Sequence, residues 1–186
     1  NYTGEWAEEA ARRGLCNFPT AVDAAAAYLS EDSIQLFEHQ KVLTRTECES
    51  RYEILMESID RVIEVEANTM LEMARRQILP AVIHYTGDLA ASYENLARAD
   101  IYNDAIKAKM TTLSGDISGI SQAIDDLQQA VTATGDHATF PEKAVAMVRE
   151  VRPCMDALRA VCDHAETLVD AAYWPMPTYT DLMHRV

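Results

Sequence analysis

The stretch IKAKMTTLSGDISGISQAIDDLQQAV, residues 106–131, decides the fold class. Within it Ile106, Met110, Leu113, Ile117, Ile120, Ile124, Leu127 and Val131 step by 4-3-4-3-4-3-4. Residues three and four apart share one face of an α-helix, and a sustained 3.5-residue period is a coiled-coil-like seam. A half-buried strand would alternate in twos, and that pattern is missing from the sequence. Further on, Ala144, Val148, Val151, Met155, Leu158, Cys162, Ala165, Val169 and Ala172 repeat the helical step. Each rod is expected to be about 45–50 Å long at ~1.5 Å per residue. Residues 132–140, with Gly135 and Asp136, read as the turn between them, so the two helices are expected to be antiparallel neighbours. Gly115 and Gly119 lie off the seam, weaken the helix locally and allow close approach of another chain. Pro153 predicts a bend or a loosened turn in the last helix.

Upstream, Thr44 and Glu47 form a capping box that opens a pattern uninterrupted by glycine until Gly87. Tyr52, Leu55, Ile59 and Val62 form the expected buried stripe, continued by Ile63, Ala67, Met70, Ala74, Ile78 and Val82. Pro80 sits inside that pattern and predicts a kink, because it removes a backbone donor and clashes with the preceding turn. Val82, Tyr85, Leu89 and Leu96 carry the helical spacing onward to about residue 98. The first 44 residues read as short helices. Thr3 caps one that Gly14 stops, Thr20 caps Ala21 to Leu29 with Asp23 at the third position, and Ser30 opens Glu31 to His39. So small a segment holds no core of its own and is expected to pack on something larger. The expected organisation is a short-helix segment over 1–44, a bundle over 45–173 and a tail over 174–186. The expected fold class is an all-α antiparallel helical bundle with long, proline-kinked helices.

The chain has 186 residues and a net charge of −14. No basic stripe exists to displace counterions, so a nucleic-acid surface is not expected, and an anionic membrane surface is disfavoured for the same reason. No apolar run near about 18 residues and no secretory leader occur, so neither a membrane span nor secretion is expected. The absence of an initial Met fits a piece of a longer protein. Cys16, Cys48, Cys154 and Cys162 form no CxxC pair and no zinc spacing, and read as reduced, mostly buried thiols of a cytoplasmic protein.

Candidate chemistry is sparse. Di-metal bundles need inward Glu-x-x-His pairs, and none occurs in the sequence. His84 and Asp88, one turn apart, suit a surface hydrogen bond better than a ligand set. Cys162 precedes Asp163 and His164 but occupies a seam position, so a core role outweighs a reactive thiol. Residues 114–119 lie inside a heptad helix and make no phosphate loop. Arg75 and Arg76 are expected to pair with Glu72 or with acids of neighbouring helices rather than to hold an anion. Met70, Met110 and Met155 fill seam positions. The least ordinary segment is the end, where two prolines stiffen an aromatic exit and Tyr173, Trp174 and Tyr179 offer amphipathic surface. Two readings stand side by side: the tail folds back as a lid, or it docks on a neighbouring domain or subunit. Trp174, Pro175, Pro177 and Tyr179 are the candidate interface residues.

Residues 68–81, Ser50-Arg51-Tyr52-Glu53, the run from Glu5-Trp6 through Arg12-Arg13-Gly14-Leu15, and residues 173–182 together resemble the C-terminal region of type III glutamine synthetases. The resemblance implies a cytoplasmic enzyme that joins ammonia to glutamate using ATP and Mg²⁺, assembled as two stacked hexameric rings. In that family the catalytic residues lie upstream of such a region, so no catalytic, cofactor or metal residue is carried over, and the 186-residue chain by itself is expected to be inactive. The implied partners are an upstream catalytic domain and neighbouring subunits. The other reading is a free-standing helical-bundle binding or sensor module. A catalytic domain upstream in the same reading frame decides between them.

Overall fold

The computed structural model describes residues 4–184, and every regular element among them is helical. The N-cap expected at Thr3 lies outside the described residues. Helix α1 (Gly4–Arg12) ends at Gly14, whose φ of 71° places it in the left-handed region. Leu15 N–H bonds Ala10 C=O at 2.9 Å and Gly14 N–H bonds Ala11 C=O at 3.0 Å, the paired closure of a Schellman stop. Helix α2 (Ala21–Ala26) starts at Thr20, whose hydroxyl accepts from Asp23 N–H, and runs into a 3₁₀ turn, Ala27–Leu29. Helix α3 (Glu31–His39) is capped by Ser30.

Helix α4 (Arg45–Met73) opens with the expected capping box: Thr44 N–H donates to Glu47 at 2.7 Å, and Glu47 N–H donates back to the Thr44 hydroxyl at 3.3 Å. The carboxylate accepts from the Thr44 N–H and also, at 2.8 Å, from the Thr44 hydroxyl, and these two bonds hold the Glu47 carboxyl below its ordinary value. The helix continues as a π-turn, Ala74–Ile78, and then as α5 (Leu79–Arg98). Helix α6 (Asp104–Thr134) is capped by Asn103. Helix α7 (Phe140–Ala146) has a capping box of its own, Thr139 with Glu142, so the helix begins at the last residue of the expected turn. It passes through a second π-turn, Met147–Val151, into α8 (Arg152–Glu166). A short α9 (Tyr179–His184) ends the described chain.

Both prolines expected to disturb helices sit six residues after the first residue of a π-turn: Ala74 and Pro80, Met147 and Pro153. A proline cannot donate to the carbonyl four residues back, and its ring collides with that carbonyl. A π-turn inserts one extra residue and re-aims the carbonyls. Leu79 N–H accordingly reaches Ala74 C=O, five residues back. Each proline then takes one of the first two places of the helix that follows, where its missing donor matters least.

Contacts divide the chain into two compact units. One gathers the described residues through Ile63 with His137–Val148; the other gathers Glu64–Asp136 with the described residues from Arg149 onward. In the first unit, Val22 and Ala25 of α2, Met56 of α4 and Ala144 of α7 form a core, with Tyr52, Ile59, Val145 and Val148 packed against it. Helix α2 thus packs on α4 and α7. Arg45 of α4 also grips Glu31 of α3 through both carboxylate oxygens, at 3.0 and 2.8 Å.

In the second unit α6 packs against both α5 and α8. The pairings fix the directions. Asp116 meets His164 while Gly119 meets Val161, so α6 and α8 run antiparallel, as expected. Lys109 reaches Tyr85 while Arg75 reaches Gln128, so α6 also opposes the chain that enters α5. Leu113, Ile120, Ile124, Leu127, Val151, Met155, Leu158, Cys162, Ala165 and Val169 are buried along the two seams. Ile106, Met110, Ile117 and Val131 are half-buried, and Ala172 is exposed because α8 has already ended.

Two expectations need correction. On α4, Leu55 and Val62 are 39% and 52% exposed, whereas Met56 and Asp60 are buried. Burial follows Cys48, Met56, Ile63, Ala67, Leu71, Ala74 and Ile78, with Tyr52 and Ile59 at the margin. The helix carries two apolar stripes; the expected one borders the buried one at Tyr52 and Ile59 and coincides with it at Ile63, Ala67, Ala74 and Ile78, while Leu55 and Val62 belong to the uncovered one. Second, Gly119 admits α8 rather than another chain: a Cβ added there would lie 3.2 Å from Val161 Cγ1.

Replacing Leu158, which is 1% exposed, by Ala is expected to cost ~2–5 kcal/mol in urea unfolding, and a cost below about half a kcal/mol would show that the seam is misplaced. The two glycines of α6 should diverge. A Cβ at Gly115 meets no described atom within 4 Å, so Gly115→Ala should stabilise by about 1 kcal/mol through helix propensity. Gly119→Ala should gain clearly less, because Val161 must give way.

Candidate functional site

The tail begins where α8 ends. After Glu166 the chain makes turns closed by Val169 N–H to Ala165 C=O and Tyr173 N–H to Asp170 C=O, and this delivers Tyr173 back onto α5. The Tyr173 hydroxyl donates to Asp88, and its ring lies 5.4 Å from that of Tyr85, tilted by 56°. Lys109 of α6 donates to the Tyr85 phenolic oxygen at 2.9 Å, and its ammonium lies 5.0 Å from that ring's centroid. Lys109, Tyr85, Tyr173 and Asp88 therefore form one continuous polar and aromatic clamp across α6, α5 and the tail root. The hydrogen bond to Asp88, and then the Asp88 charge, push the Tyr173 phenol above its ordinary value.

Beyond the clamp the tail changes character. Trp174 is half-buried, and its indole nitrogen is shielded from solvent without an acceptor among the described residues. Pro175 and Pro177 are exposed, and Tyr179 is 85% exposed. Leu182 and Met183 of α9 are exposed as well. Thr178 caps α9 in a box with Asp181: Thr178 N–H donates to the carboxylate at 2.8 Å, and Asp181 N–H returns the bond to the hydroxyl at 3.2 Å. Tyr173 is held against α5, while Pro175, Pro177 and Tyr179 of the four candidate interface positions are exposed and Trp174 is half-buried.

The remaining candidates resolve into structural contacts. Asp88 turns to Tyr173, and His84 is exposed, so the expected histidine–aspartate pairing gives way to the tail. Arg76 pairs with Glu72 at 3.2 Å, as expected, while Arg75 finds the amide oxygen of Gln128 at 3.0 Å rather than an acid. Cys162 is buried, and burial followed by the charge of Asp163 raises its thiol to about 11. Cys48 is also buried, Cys154 is half-buried and Cys16 is exposed. Among the described residues no group of three His, Cys, Asp or Glu side chains is placed to hold a metal ion.

The sequence reading missed the pairing of Asp116 with His164. Nδ1 lies 2.9 Å from Asp116 Oδ1, and the carboxylate is almost wholly buried. Spacing carried the signal: Asp116 stands three residues after Leu113 and four before Ile120, on the seam itself. Asp60 is placed in the same way, four after Met56 and three before Ile63.

These clusters clamp helices and a tail to one another, and every regular element among the described residues is helical. Comparison with known proteins gives the family. The family described as "Glutamine synthetase C-terminal domain" matches over residues 1–97, and the chain belongs to that family. It is 31% identical to a glutamine synthetase of Butyrivibrio fibrisolvens, 28% to one of Bacteroides fragilis and 27% to a type-3 glutamine synthetase of Dictyostelium discoideum. Each alignment covers 98% of this chain and 26% of the relative. The chain therefore spans about a quarter of the length of the curated relatives it matches.

The clamp gives an alkaline signature. Tyr173 is raised, so its hydrogen-bonded form is fully present below the ordinary tyrosine range and is lost as pH rises through the raised value. Trp174 fluorescence should change in that alkaline window. In tyrosinate absorbance, the late-titrating phenol should disappear in Tyr173→Phe and titrate earlier in Asp88→Asn.

Proposed function

We propose that this chain is the non-catalytic C-terminal helical domain of a type III glutamine synthetase and that it serves the assembly or regulation of that enzyme. The whole enzyme would join ammonia to glutamate with ATP and Mg²⁺ held in its catalytic domain, in the cytoplasm. The observation that carries the reading is the alignment: nearly the whole chain matches, yet it accounts for only 26% of each relative. Among the described residues no helix is long and apolar enough to cross a membrane.

The tail is the proposed contact. Tyr173 is tied to α5, so the segment that follows leaves from a defined point. The two prolines restrict it, so it loses little conformational entropy on docking. Trp174, Pro175, Pro177 and Tyr179 would lie against the catalytic domain or an adjacent subunit of a double-ring homo-oligomer.

The purified 186-residue chain is expected neither to hydrolyse ATP nor to form glutamine, and measurable biosynthetic turnover would overturn the reading. In the full-length enzyme, removing everything after Tyr173 should shift the oligomer profile in analytical ultracentrifugation or lower activity. The isolated chain with the same deletion should keep its helical signal. Unfolding of the isolated chain without a separate assembly defect would make the tail a lid only.

A further inference from the structure

A second surface is left uncovered, far along the chain from the tail. On α4 the stripe that the core does not use carries Ile54, Leu55 and Val62, which are 62%, 39% and 52% exposed. Leu55 and Val62 are one heptad apart and therefore share a face, with Ser58 between them as a small step. Arg51 and Arg61 flank the same face on a helix whose other charges are mostly acidic. Beside this ridge, the start of α7 and the flank of α4 enclose a cleft of about 400 Å³. Ile54 belongs to both ridge and cleft, and Glu53, Glu57, Phe140 and Lys143 are among the other residues that line the cleft. Arg61 reaches over the Phe140 ring, 5.4 Å from its centroid, while leaving 38% of that residue exposed. All of these residues belong to the same compact unit.

An apolar ridge beside a cleft with an aromatic wall is the form of a docking surface: a partner side chain fills the cleft and a helix or strand lies along the ridge. Its size says what kind of partner covers it. The ridge from Ile54 to Val62 is only about 12 Å long at ~1.5 Å per residue. Four side chains that show 38–62% of their surface fall well short of the ~800 Å² per partner that a free-standing interface needs. Two separate copies meeting on this patch alone would not hold. A covalently linked segment would, because tethering replaces bulk concentration with an effective concentration in the millimolar range. About three-quarters of the length of the matched relatives lies outside this chain.

We infer that the ridge of Ile54, Leu55 and Val62, with the Phe140 cleft, docks a segment of the same polypeptide outside these 186 residues, apolar at its centre and acidic opposite Arg51. This rests on the proposed reading of the chain as part of a longer glutamine synthetase. It adds a second contact, on residues that belong to the other compact unit from the tail.

The test is thiol accessibility. Val62→Cys is placed in a Cys16→Ser background, and labelling at position 62 by a maleimide is followed by mass spectrometry. In the 186-residue chain labelling should be fast and independent of protein concentration. In the full-length polypeptide it should slow by at least about tenfold, and adding Leu55→Glu should restore the fast rate while leaving the helical signal of the 186-residue chain unchanged. Equal rates in the short and long polypeptides would overturn the inference, as would protection that Leu55→Glu leaves intact. Labelling that slows in the short chain as its concentration rises would assign the face to a second copy and overturn it as well. Full-length protein truncated after Tyr173 should still protect position 62. The two contacts can therefore fail separately, and turnover by the short chain would sink the parent reading on its own.

Discussion

Helix α6 has to bury apolar surface against α5 and α8 at once, and most of the larger unit follows from that requirement. A helix covered on two sides needs a wide apolar band, and Leu113, Ile120, Ala123, Ile124 and Leu127 provide it. Close approach on one side is made at Gly119, where Val161 occupies the space a side chain would take. The band is not wholly apolar. Asp116 is buried within it and is matched by His164 on α8. A single polar pair inside an apolar seam weakly favours one register over its neighbours, since any slip by a turn leaves a carboxylate buried without its partner.

The prolines illustrate a second constraint. Long helices that contain proline must either bend or rearrange their hydrogen bonds, and both helices here contain a π-turn at the same offset ahead of the proline. Burial explains why the chain continues rather than stops. Ala74, Ile78, Ala81 and Val82 are buried around Pro80, as are Met147, Val151 and Met155 around Pro153. Ending either helix there would uncover that surface, which at roughly 25 cal/mol per Å² outweighs one displaced hydrogen bond of about 1 kcal/mol.

Polar contacts divide by place. The surface pairs, such as Arg76 with Glu72 and Arg98 with Glu94, lie one helical turn apart in solvent and contribute a few tenths of a kcal/mol each, about the usual worth of such pairs. The contacts between elements do more to define shape. Arg45 joins α3 to α4, Arg75 joins the first π-turn to α6, and the Lys109–Tyr85–Tyr173–Asp88 clamp sets where the tail leaves α5. A fixed departure point of this kind would serve the proposed docking of the tail, because a segment that wanders loses its ordering entropy on every docking event.

Local rules made much of this legible in advance. Caps depend on residues three apart, so Thr20, Ser30 and the Thr44–Glu47 box could be read directly, and Gly14 marked a left-handed stop. The α6 and α8 seams could be read because an apolar period is a property of one helix alone. What the sequence by itself determined is therefore where several of the helices begin and which class of fold they build; the end of α8 at Glu166, short of the apolar period that runs to Ala172, was not among those bounds. Tertiary structure alone decided which of two apolar stripes on α4 is buried, because both have helical spacing and only the neighbours' positions distinguish Met56 from Leu55. It also gave Asp88 to Tyr173, 85 residues away, instead of to His84 one turn back. A pairing between distant residues has no local signature, since its energy depends on where two backbones pass each other, and a linear pattern holds no record of that.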